Sequence, residues 1–516
     1  MVSIKDMKKI LGRLVIVLPA IALQLLWYVL ALTILDNFFA GYLDEILGLI
    51  FTVLAVFFVT AIVGKRDEST YKILWIIIIV GFPVFGAILY FFVGNKKTGR
   101  KLNTKIEKSR SALPAFKNED SPKFIDKISA DSKRIGQTIA HLSESSGFPV
   151  VENNSAKYYA FGEQMFADMC KDLQTAEKFI FVEYFIVQEG KFWNTLVDIL
   201  QERAQNGVDV RVMYDDLGSI GTYSPREVKK LLEKGIKCIP FNPFFLLKSQ
   251  LNNRDHRKIM VIDSKIAYSG GVNLADEYIN HVERFGVWKD IGFRITGKAV
   301  ESYTYMFVEF WNAFSKDLIP VPPQWEKSKT QNQSSDGFII PYYDSPSREE
   351  HTSNVLFTEV LSLATDYAWF YTPYLILGDS LFDAFIRAAE RGVDVRIIMP
   401  GIPDKKMVFR LSRSYYRDLL KAGVKIYEYT PGFVHAKAFI ADDILGGIGT
   451  VNLDYRSLFL HFECESVFYK ASILKDLKED FLNTQSQCKE RKLDDHKETG
   501  WHRFGNNLLR VIAPLL

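Results

Sequence analysis

The amino-acid sequence predicts an α/β fold with two tandem domains, each a mixed sheet flanked by helices, preceded by N-terminal transmembrane helices. Apolar strand-like runs alternate with helical periodicity after residue 150, which is typical of sheets covered by helices. The pentapeptide Gly-Val-Asp-Val-Arg occurs at residues 207–211 and again at residues 392–396. Three long apolar runs lie within the first 93 residues. These observations predict an internally duplicated protein with a membrane anchor.

The three apolar runs span residues 14–35, 46–63 and 73–93, and each is 18 to 22 residues long. About 20 residues cross the core of a bilayer, so residues 1–95 are predicted to form two or three transmembrane helices. A cleaved signal peptide would be shorter, and buried core helices rarely follow one another in this way. With three spans, the basic residues tie at seven on each side. If the first run is re-entrant, both ends lie in the cytosol. We therefore predict a multi-pass protein of the cell membrane with its catalytic part on the cytoplasmic side.

Two segments outside the domains are defined by composition. Residues 96–150 are predicted as a basic linker with one helix near residues 131–145. Its lysines could attract anionic lipid headgroups, and a plain solvated linker explains them equally well. The tail, residues 487–516, mixes Trp501 and Arg503 with leucines. This pattern fits the membrane interface, and it fits a segment packed on the protein body equally well.

The two domains are predicted at residues 151–325 and 326–486. Each contains a strand, a helix and a further strand in the same order. These elements are predicted at residues 179–187, 192–205 and 208–214 in the first domain, and at residues 369–376, 381–391 and 392–399 in the second. A proline-rich and polar stretch joins the two domains, so the sequence indicates a tandem duplication.

The overall composition makes some classes of protein improbable. The chain has 64 Lys and Arg against 61 Asp and Glu, and its formal charge of +3 does not indicate a nucleic-acid partner. The four cysteines are scattered without a Cys-x-x-Cys spacing, so neither a disulfide framework nor a zinc site is predicted. We interpret them as packing residues in a reducing compartment.

One pattern of reactive residues occurs twice. His256 is followed by Lys at position +2, Asp at +7, Gly at +14 and Asn at +17, and His435 is followed by the same residues at the same spacings. Of eight histidines, only these two have Lys at +2. The repeat indicates a duplicated segment, a paired active site, or both. The candidate catalytic residues are His256, Lys258, Asp263, His435, Lys437 and Asp442, and the candidate phosphate-binding residues are Asn273 and Asn452.

These residue types suit the chemistry of phosphate esters. His and Lys two positions apart on a strand point to the same side, so two such strands would place two imidazoles and two ammonium groups in one pocket. The ammonium groups and the Asn amides can hold anionic oxygens. One imidazole can attack phosphorus, while the other protonates the leaving oxygen and deprotonates the incoming one. A lysine beside each histidine would repel a cation, so no metal is predicted.

Each histidine needs a partner that fixes its tautomer. An acid lies some thirty residues after each one, Asp290 in the first half and Glu463 in the second. Acids at such positions are often surface charges, and that alternative stays open. We favour a role in orienting the histidines, because a carboxylate beside an imidazole selects which ring nitrogen carries the proton.

The paired His-x-Lys-x4-Asp signature resembles that of the phospholipase D superfamily, and within it the chain is similar to bacterial cardiolipin synthases over nearly its whole length. Other similar segments are residues 183–186, 214–219, 253–256, 412–416, 426–429 and 449–457. The resemblance implies two phospholipase D-type sandwich domains packed as a pseudo-dimer. It also implies transfer of a phosphatidyl group between two phosphatidylglycerol molecules, giving cardiolipin and glycerol through a phosphatidyl-histidine, without a cofactor or metal.

The resemblance also implies roles for individual residues. One of His256 and His435 would be the nucleophile, with the family pattern favouring His256, and the other would be the general acid and base. The two lysines and two asparagines of the motif would hold the phosphate. Asp263 and Asp442 belong to the signature but would be structural, whereas the acids at 290 and 463 match the family's His-orienting acids. The implied partners are phosphatidylglycerol and anionic membrane lipid.

Three positions depart from the family pattern. Gly271 stands where Ser is common and Thr450 stands in the second copy, so one hydroxyl donor to phosphate is predicted to be missing. Asp255 and His461 stand where Asn is frequent. Two other functions remain open: a hydrolytic phospholipase D or phosphatidylserine synthase with the same pocket, and a non-catalytic membrane scaffold. A nuclease is disfavoured by the apolar runs and the near-neutral charge.

Overall fold

Two mixed β-sheets form the body of the protein. The computed structural model describes residues 42–94, 100–114, 116, 118–152, 155–243, 252–320, 336–496 and 500–515. In chain order the strands are β1 (Val151–Glu152), β2 (Ser155–Tyr159), β3 (Phe179–Tyr184), β4 (Asp209–Asp215), β5 (Lys237–Phe241), β6 (Lys258–Ile262), β7 (Ile266–Gly270), β8 (Val287–Lys289), β9 (Gly292–Thr296), β10 (Phe338–Asp344), β11 (Tyr367–Tyr371), β12 (Asp394–Pro400), β13 (Lys425–Tyr429), β14 (Gly432–Val434), β15 (Ala438–Ala441), β16 (Leu445–Gly449), β17 (Glu463–Tyr469) and β18 (Cys488–Arg491).

Helices cover the sheets and flank them at both ends of the chain. In chain order they are α1 (Tyr42–Val63), α2 (Ser69–Gly81), α3 (Pro83–Leu89), α4 (Arg100–Ala112), α5 (Ser121–Asp131), α6 (Lys133–Ser146), α7 (Gly162–Leu173), α8 (Lys191–Gln205), α9 (Pro225–Glu233), α10 (Val300–Phe314), α11 (Thr352–Leu363), α12 (Asp379–Glu390), α13 (Lys406–Lys421), α14 (Tyr455–Phe459), α15 (Ile473–Gln485) and α16 (Gly500–Ile512). Short 3-10 or π turns lie at Tyr90–Gly94, Asp276–Ile279, Leu493–His496 and Ala513–Leu515.

The two sheets repeat one topology, as the duplicated sequence predicts. The first has the strand order β2-β9-β7-β6-β3-β4-β5. The second has the order β1-β10-β17-β16-β15-β11-β12-β13-β18, which contains the equivalent seven strands with one more at each edge. In both, a central strand pairs in parallel with the strand that follows its helix and antiparallel with the motif strand. The prediction of two tandem mixed α/β domains is therefore confirmed.

The repeated pentapeptide forms the same turn in both halves. Gly207 follows α8 with a φ of 86°, and Gly392 follows α12 with a φ of 94°. Glycine has no Cβ and adopts this left-handed conformation without strain, so it ends each helix and lets the chain enter β4 or β12. The strands predicted at residues 179–187 and 369–376 end earlier than expected. Strand β3 ends at Tyr184, and β11 ends at Tyr371.

Helix α10 lies between the two sheets and joins their cores. Eleven of its fifteen residues are buried. Phe307 stacks on Phe181 of β3 with ring centroids 4.6 Å apart, and Phe310 packs against Tyr343 of β10 at 5.8 Å. Aromatic pairs of this kind bury large apolar areas. The two domains consequently share one hydrophobic core through this helix.

The segments outside the two predicted domains take part in the fold. Residues 96–150 hold the three helices α4, α5 and α6 where one was expected, and Ser109 of α4 donates a hydrogen bond to the carbonyl of Glu309 at 2.7 Å. Strand β1 pairs with β10 of the second sheet, and β18, within the predicted tail, pairs with β13. The predicted domain limits remain a prediction. Strand β1 falls in the predicted first domain and β18 in the predicted tail, but both pair with strands of the second sheet.

The prediction of transmembrane helices is not supported. Within residues 42–94 and the other parts of the chain that the structure describes, no helix is both long and apolar enough to cross a membrane. The apolar run at 73–93 is interrupted because α2 ends at Gly81 and Pro83, which lacks an N–H donor, begins α3. At 1.5 Å per residue, α2 extends only about 20 Å. The run at 14–35 lies outside the described residues.

Two aspartates of the repeated motif anchor the starts of the central strands. The carboxylate of Asp263 accepts hydrogen bonds from the three backbone N–H groups of residues 177–179, each at 2.8 Å. Asp442 accepts from the N–H groups of residues 365–367 at 2.8 to 3.0 Å. Both aspartates have positive φ, a conformation that Asp tolerates better than most residues. Each one therefore ties the turn after a motif strand to the adjacent central strand.

We expect Asp263→Asn to destabilise the protein. The amide tolerates the same backbone conformation but places an NH2 group where a carboxylate oxygen now accepts N–H donors, at a cost of about 2–3 kcal/mol. The midpoint of thermal unfolding, followed by circular dichroism, should fall by about 2–3 °C, because the two domains share a core and a large protein has a large entropy of unfolding. Lys265→Gln is the control, because Lys265 is exposed and pairs only with an exposed acid. An unchanged midpoint for Asp263→Asn would contradict this structural role.

Candidate active site

The segment that leads to each motif histidine is paired with the opposite half of the chain. The N–H of His256 donates to the carbonyl of Phe462 at 2.9 Å, and the N–H of His435 donates to the carbonyl of Lys289 at 2.7 Å. The short parallel pair of β8 and β14 leads into the second contact. Because Phe462 precedes Glu463 and Lys289 precedes Asp290, each histidine meets the acid of the other copy.

The two histidine–acid pairs are therefore crossed. Nδ1 of His256 lies 2.8 Å from Glu463, and Nδ1 of His435 lies 2.6 Å from Asp290. Both acids are fully buried. In its ionised form each carboxylate accepts a hydrogen bond from Nδ1–H, which leaves the lone pair of Nε2 available for chemistry. The sequence analysis offered each histidine the acid of its own half, and the structure corrects this by pairing each histidine with the acid of the other half.

The two motif lysines lie on the same side as the histidines, as the strand period predicts. Lys258 and Lys437 are each 1% exposed. Nζ of Lys258 donates to the carbonyl of His256 at 2.5 Å, and Nζ of Lys437 contacts Nδ1 of His435 at 2.8 Å. Burial lowers the pKa of Lys258 to about 8 and that of Lys437 to about 7, although nearby carboxylates oppose the shift.

The same burial shifts the other ionisable groups of the site toward their neutral forms. It raises the pKa of Asp290 and Glu463, and the charges of the two lysines oppose this rise. It lowers the pKa of His256 and His435 well below the usual range, and the lysine charges add to this effect. Both imidazoles are consequently neutral near pH 7, which is the form that a nitrogen nucleophile requires.

Gly271 and Thr450 occupy equivalent positions in the two copies, and they give the acids Asp290 and Glu463 different surroundings. The hydroxyl of Thr450 donates to Glu463 at 2.5 Å. A Cβ atom on Gly271 would lie 2.0 Å from Oδ1 of Asp290, so this glycine makes room for the acid. The expectation that these positions differ in a hydroxyl donor to phosphate needs correction, because the Thr450 hydroxyl serves the orienting acid.

The two motif asparagines are placed differently. Asn273 accepts a hydrogen bond from the N–H of Ile186 at 3.1 Å, and its amide nitrogen donates to the hydroxyl of Tyr278 at 2.9 Å. Asn452 lines the cavity beside His256, and its amide oxygen has no hydrogen-bond partner among the residues that the structure describes. Of the two predicted phosphate ligands, Asn452 is the one that lines this cavity.

Asp263 and Asp442 do not join this cluster. Each follows its histidine by seven residues along an extended strand, which places it about 20 Å away. Their carboxylates bind the backbone N–H groups described above. The structure thus separates the signature into a reactive end, with His and Lys, and an anchoring end.

Aromatic side chains surround the imidazoles, and the motif did not predict them. Phe185 packs edge-on against His256 at 4.8 Å between ring centroids. Tyr278 and Trp288 lie 5.3 and 5.6 Å from His435. These rings help to bury the two imidazoles, which are 8% and 7% exposed. Trp288 stands two residues before the candidate acid Asp290. This short spacing was the one sequence signal that could have placed an aromatic ring near the site.

A cavity of about 160 Å³ opens onto His256. Charged and polar residues from the second half line most of it. Besides His256 and Asn452, its walls include Phe185, Tyr374, Lys405, Asp454, Arg456 and His461. The sequence analysis gave none of Tyr374, Lys405 and Arg456 a role in the site. Tyr374 lies in a predicted strand and Arg456 in the family-similar segment 449–457, whereas Lys405 lies in a loop outside both.

The fold and the site define a duplicated α/β protein with a paired His and Lys centre of the phospholipase D type. The profile described as "Cardiolipin synthase, PLD-like domain" matches residues 169–296 and 357–484, and "Phospholipase_D-nuclease N-terminal" matches residues 50–95. A cardiolipin synthase of Alkalihalophilus pseudofirmus is 31% identical over 94% of this chain and 97% of its own length. The chain belongs to the cardiolipin synthase family of phospholipase D-like proteins.

Two further proteins are similar to this chain over most of its length. An uncharacterized protein of Streptococcus mutans is 42% identical over 88% of this chain and 98% of its own length. The crystal structure of a phosphatidylserine synthase from Haemophilus influenzae superimposes with a TM-score of 0.56, at 15% identity, over 73% of this chain and 98% of that one. At this identity the second likeness shows a shared fold.

We expect the affinity of the site for a phosphodiester anion to fall as the pH rises. The two buried lysines lose their positive charge above pH values of about 7 and 8, and any ionisation of the buried acids over the same range adds negative charge. Dibutyl phosphate keeps one charge throughout, so calorimetric titration should show its Kd rising about tenfold or more between about pH 6 and pH 9. Lys437→Gln should weaken this dependence. A Kd that does not change with pH would refute the lysine assignment.

We expect Gly271→Ala to displace Asp290 from His435. Even a small misplacement of a catalytic group can cost about a hundredfold, so turnover of a lipid phosphodiester should fall at least about tenfold. Gly48→Ala serves as the control, because a Cβ there meets nothing within 4 Å. If Gly271→Ala were as active as the wild type, the close approach of Asp290 would have no functional role.

Proposed function

We propose that this protein is a cardiolipin synthase, which transfers a phosphatidyl group from one phosphatidylglycerol to another and releases glycerol. The observation that carries the proposal is the crossed site, in which each neutral imidazole is oriented by a buried acid from the other half. The two buried lysines beside the imidazoles supply positive charge for a phosphate. The cardiolipin synthases among the relatives, which match over nearly their whole length, support the choice of reaction.

In the first step the donor phosphate lies against Lys258 and Lys437, with Asn452 and Asn273 nearby. Nε2 of His256 attacks phosphorus, the bond from phosphorus to the glycerol oxygen breaks, and His435 gives that oxygen a proton. We assign the nucleophile to His256 because it lines the cavity. The negative charge of the bound phosphate raises the pKa of His435, so Nε2 of His435 takes up a proton from solvent when the donor binds and then gives this proton to the leaving oxygen.

In the second step a hydroxyl of the acceptor attacks the phosphatidyl-histidine. His435 takes the hydroxyl proton, a new oxygen–phosphorus bond forms, and the phosphorus–Nε2 bond breaks. The product is cardiolipin, and both histidines return to their starting states. Asp290 and Glu463 hold the rings so that Nε2 faces the phosphate throughout, and no cofactor or metal takes part in these steps.

The substrates place the site at a membrane surface. We propose association with anionic lipid at the cytoplasmic face of the cell membrane, because phosphatidylglycerol is itself an anionic membrane lipid. Exposed apolar side chains support this proposal, among them Phe57 on α1 and Trp501 and Phe504 on α16. Basic residues such as Lys108 and Arg348 line an open groove of about 1280 Å³ nearby, which also suits anionic headgroups.

The test supplies purified protein with phosphatidylglycerol as the sole lipid. We expect cardiolipin and glycerol in equal amounts, because one glycerol leaves for each phosphatidyl group transferred. His256→Ala and His435→Ala should each lower turnover by at least about a hundredfold, since proton transfer alone contributes about that factor. Lys265→Gln is the control, because it lies on the surface away from the site.

Other outcomes of this assay point to other functions. Release of phosphatidic acid without cardiolipin would show a hydrolase, and transfer to added serine would show a phosphatidylserine synthase. If either histidine variant kept full activity, the two-histidine mechanism would be wrong. A wild-type protein without turnover on any of these substrates would favour the scaffold.

A further inference from the structure

The cavity that opens onto His256 has two basic residues that the repeated motif does not include. Lys405 stands just before α13, and Arg456 lies within α14. Both line the same cavity as His256. The motif lysines Lys258 and Lys437 are buried at the ends of their strands, whereas the side chain of Lys405 is 59% exposed. The site therefore has an inner and an outer pair of cations.

The outer lysine is held in place by a small polar cluster. Its Nζ donates to the hydroxyl of Tyr374 at 2.9 Å and lies 3.1 Å from the carboxylate of Asp404. The Tyr374 hydroxyl donates to the same carboxylate at 2.6 Å. Asp404 is shared between two donors, so Lys405 is oriented toward the cavity while it remains accessible from solvent. Its charge is also close enough to affect His435.

The second cation, Arg456, belongs to the short helix α14, which lines the same cavity. Arg456 follows Asp454, which caps this helix by accepting the N–H of Ser457 at 2.8 Å. Asp454 also lines the cavity, and burial raises the pKa of its carboxyl group. The positive charge of Arg456 reaches His461, a further residue of the same wall. The wall around His256 is thus suited to an anion beyond the one held by the inner lysines.

We infer that Lys405 and Arg456 bind the phosphate of the acceptor phosphatidylglycerol. This inference rests on the proposed function. The acceptor carries its own phosphate at the other end of the glycerol from the attacking hydroxyl. While the donor phosphate occupies the inner lysines, a second phosphate must therefore lie close to the first, and the two anions repel each other. Cations on the outer wall offset this repulsion and place the acceptor hydroxyl at phosphorus.

The outer cations accordingly determine which acceptor is used. Water and free glycerol have no phosphate and gain nothing from Lys405 or Arg456, whereas phosphatidylglycerol gains a charge-assisted contact. In each case the chemistry is the same: the acceptor oxygen bonds to phosphorus, the phosphorus–Nε2 bond to His256 breaks, and the acceptor proton passes to His435. The two cations are thus specificity residues and do not take part in the bond changes.

The experiment compares an anionic with an uncharged acceptor in one reaction mixture. Purified full-length protein receives phosphatidylglycerol vesicles together with labelled glycerol. Cardiolipin then reports transfer to the anionic acceptor, and label in phosphatidylglycerol reports transfer to free glycerol. We expect Lys405→Gln, and the double variant with Arg456→Gln, to lower the ratio of cardiolipin to labelled phosphatidylglycerol at least about tenfold, with a larger share of phosphatidic acid. This is the effect of losing about 1.4 kcal/mol of acceptor binding.

The controls separate this inference from the proposed function. Lys406→Gln is matched to Lys405→Gln, since Lys406 is the exposed neighbour at the start of α13, and it should keep the wild-type ratio. Lys405→Arg should restore most of the ratio because it keeps the charge. If cardiolipin and labelled phosphatidylglycerol fell by the same factor in Lys405→Gln, the inference would be overturned. If the wild type labelled phosphatidylglycerol without making cardiolipin, the proposed function would fail first.

Discussion

The crossed contact between each motif histidine and the acid of the other half is the constraint on which the site depends. His256 reaches Glu463 only because its own N–H is bonded to the residue before that acid, and His435 reaches Asp290 in the same way. Neither half can complete a histidine–acid pair by itself. The shared core around α10 therefore has a direct chemical consequence, because it fixes the distance between the reactive groups of two separate sheets.

Burial of this centre determines its electrostatics. Two lysines, two acids and two imidazoles lie out of water, so each group is shifted toward its neutral form and the groups partly compensate one another. An anionic phosphate between the two lysines raises their pKa, so both lysines become positively charged. The empty site thus avoids the cost of isolated buried charges, and the occupied site gains strong contacts because the surroundings exclude water.

The duplication repeats the order of seven strands, but the chemistry of the two copies differs. The hydroxyl of Thr450 donates a hydrogen bond to Glu463, whereas Gly271 has no side chain and leaves room for Asp290. The walls of the cavity come mainly from the second half, including Lys405 and Arg456. In the reaction that we propose, the symmetric pair of motifs has unequal roles, because one histidine attacks phosphorus and the other moves protons. The unequal surroundings would then distinguish the donor side of the site from the acceptor side.

The sequence by itself determined the two α/β units, the paired motif and the common side of His256 and Lys258, because these follow from local periodicity and spacing. Tertiary structure decided the crossed pairing, the steric need for Gly271 beside Asp290, and the gathering of Lys405 with residues far along the chain. It also divided an apolar run at Pro83 that hydropathy alone had predicted as a span. The reason is physical: periodicity records which face of an element is buried, whereas the neighbours on that face depend on how distant elements pack.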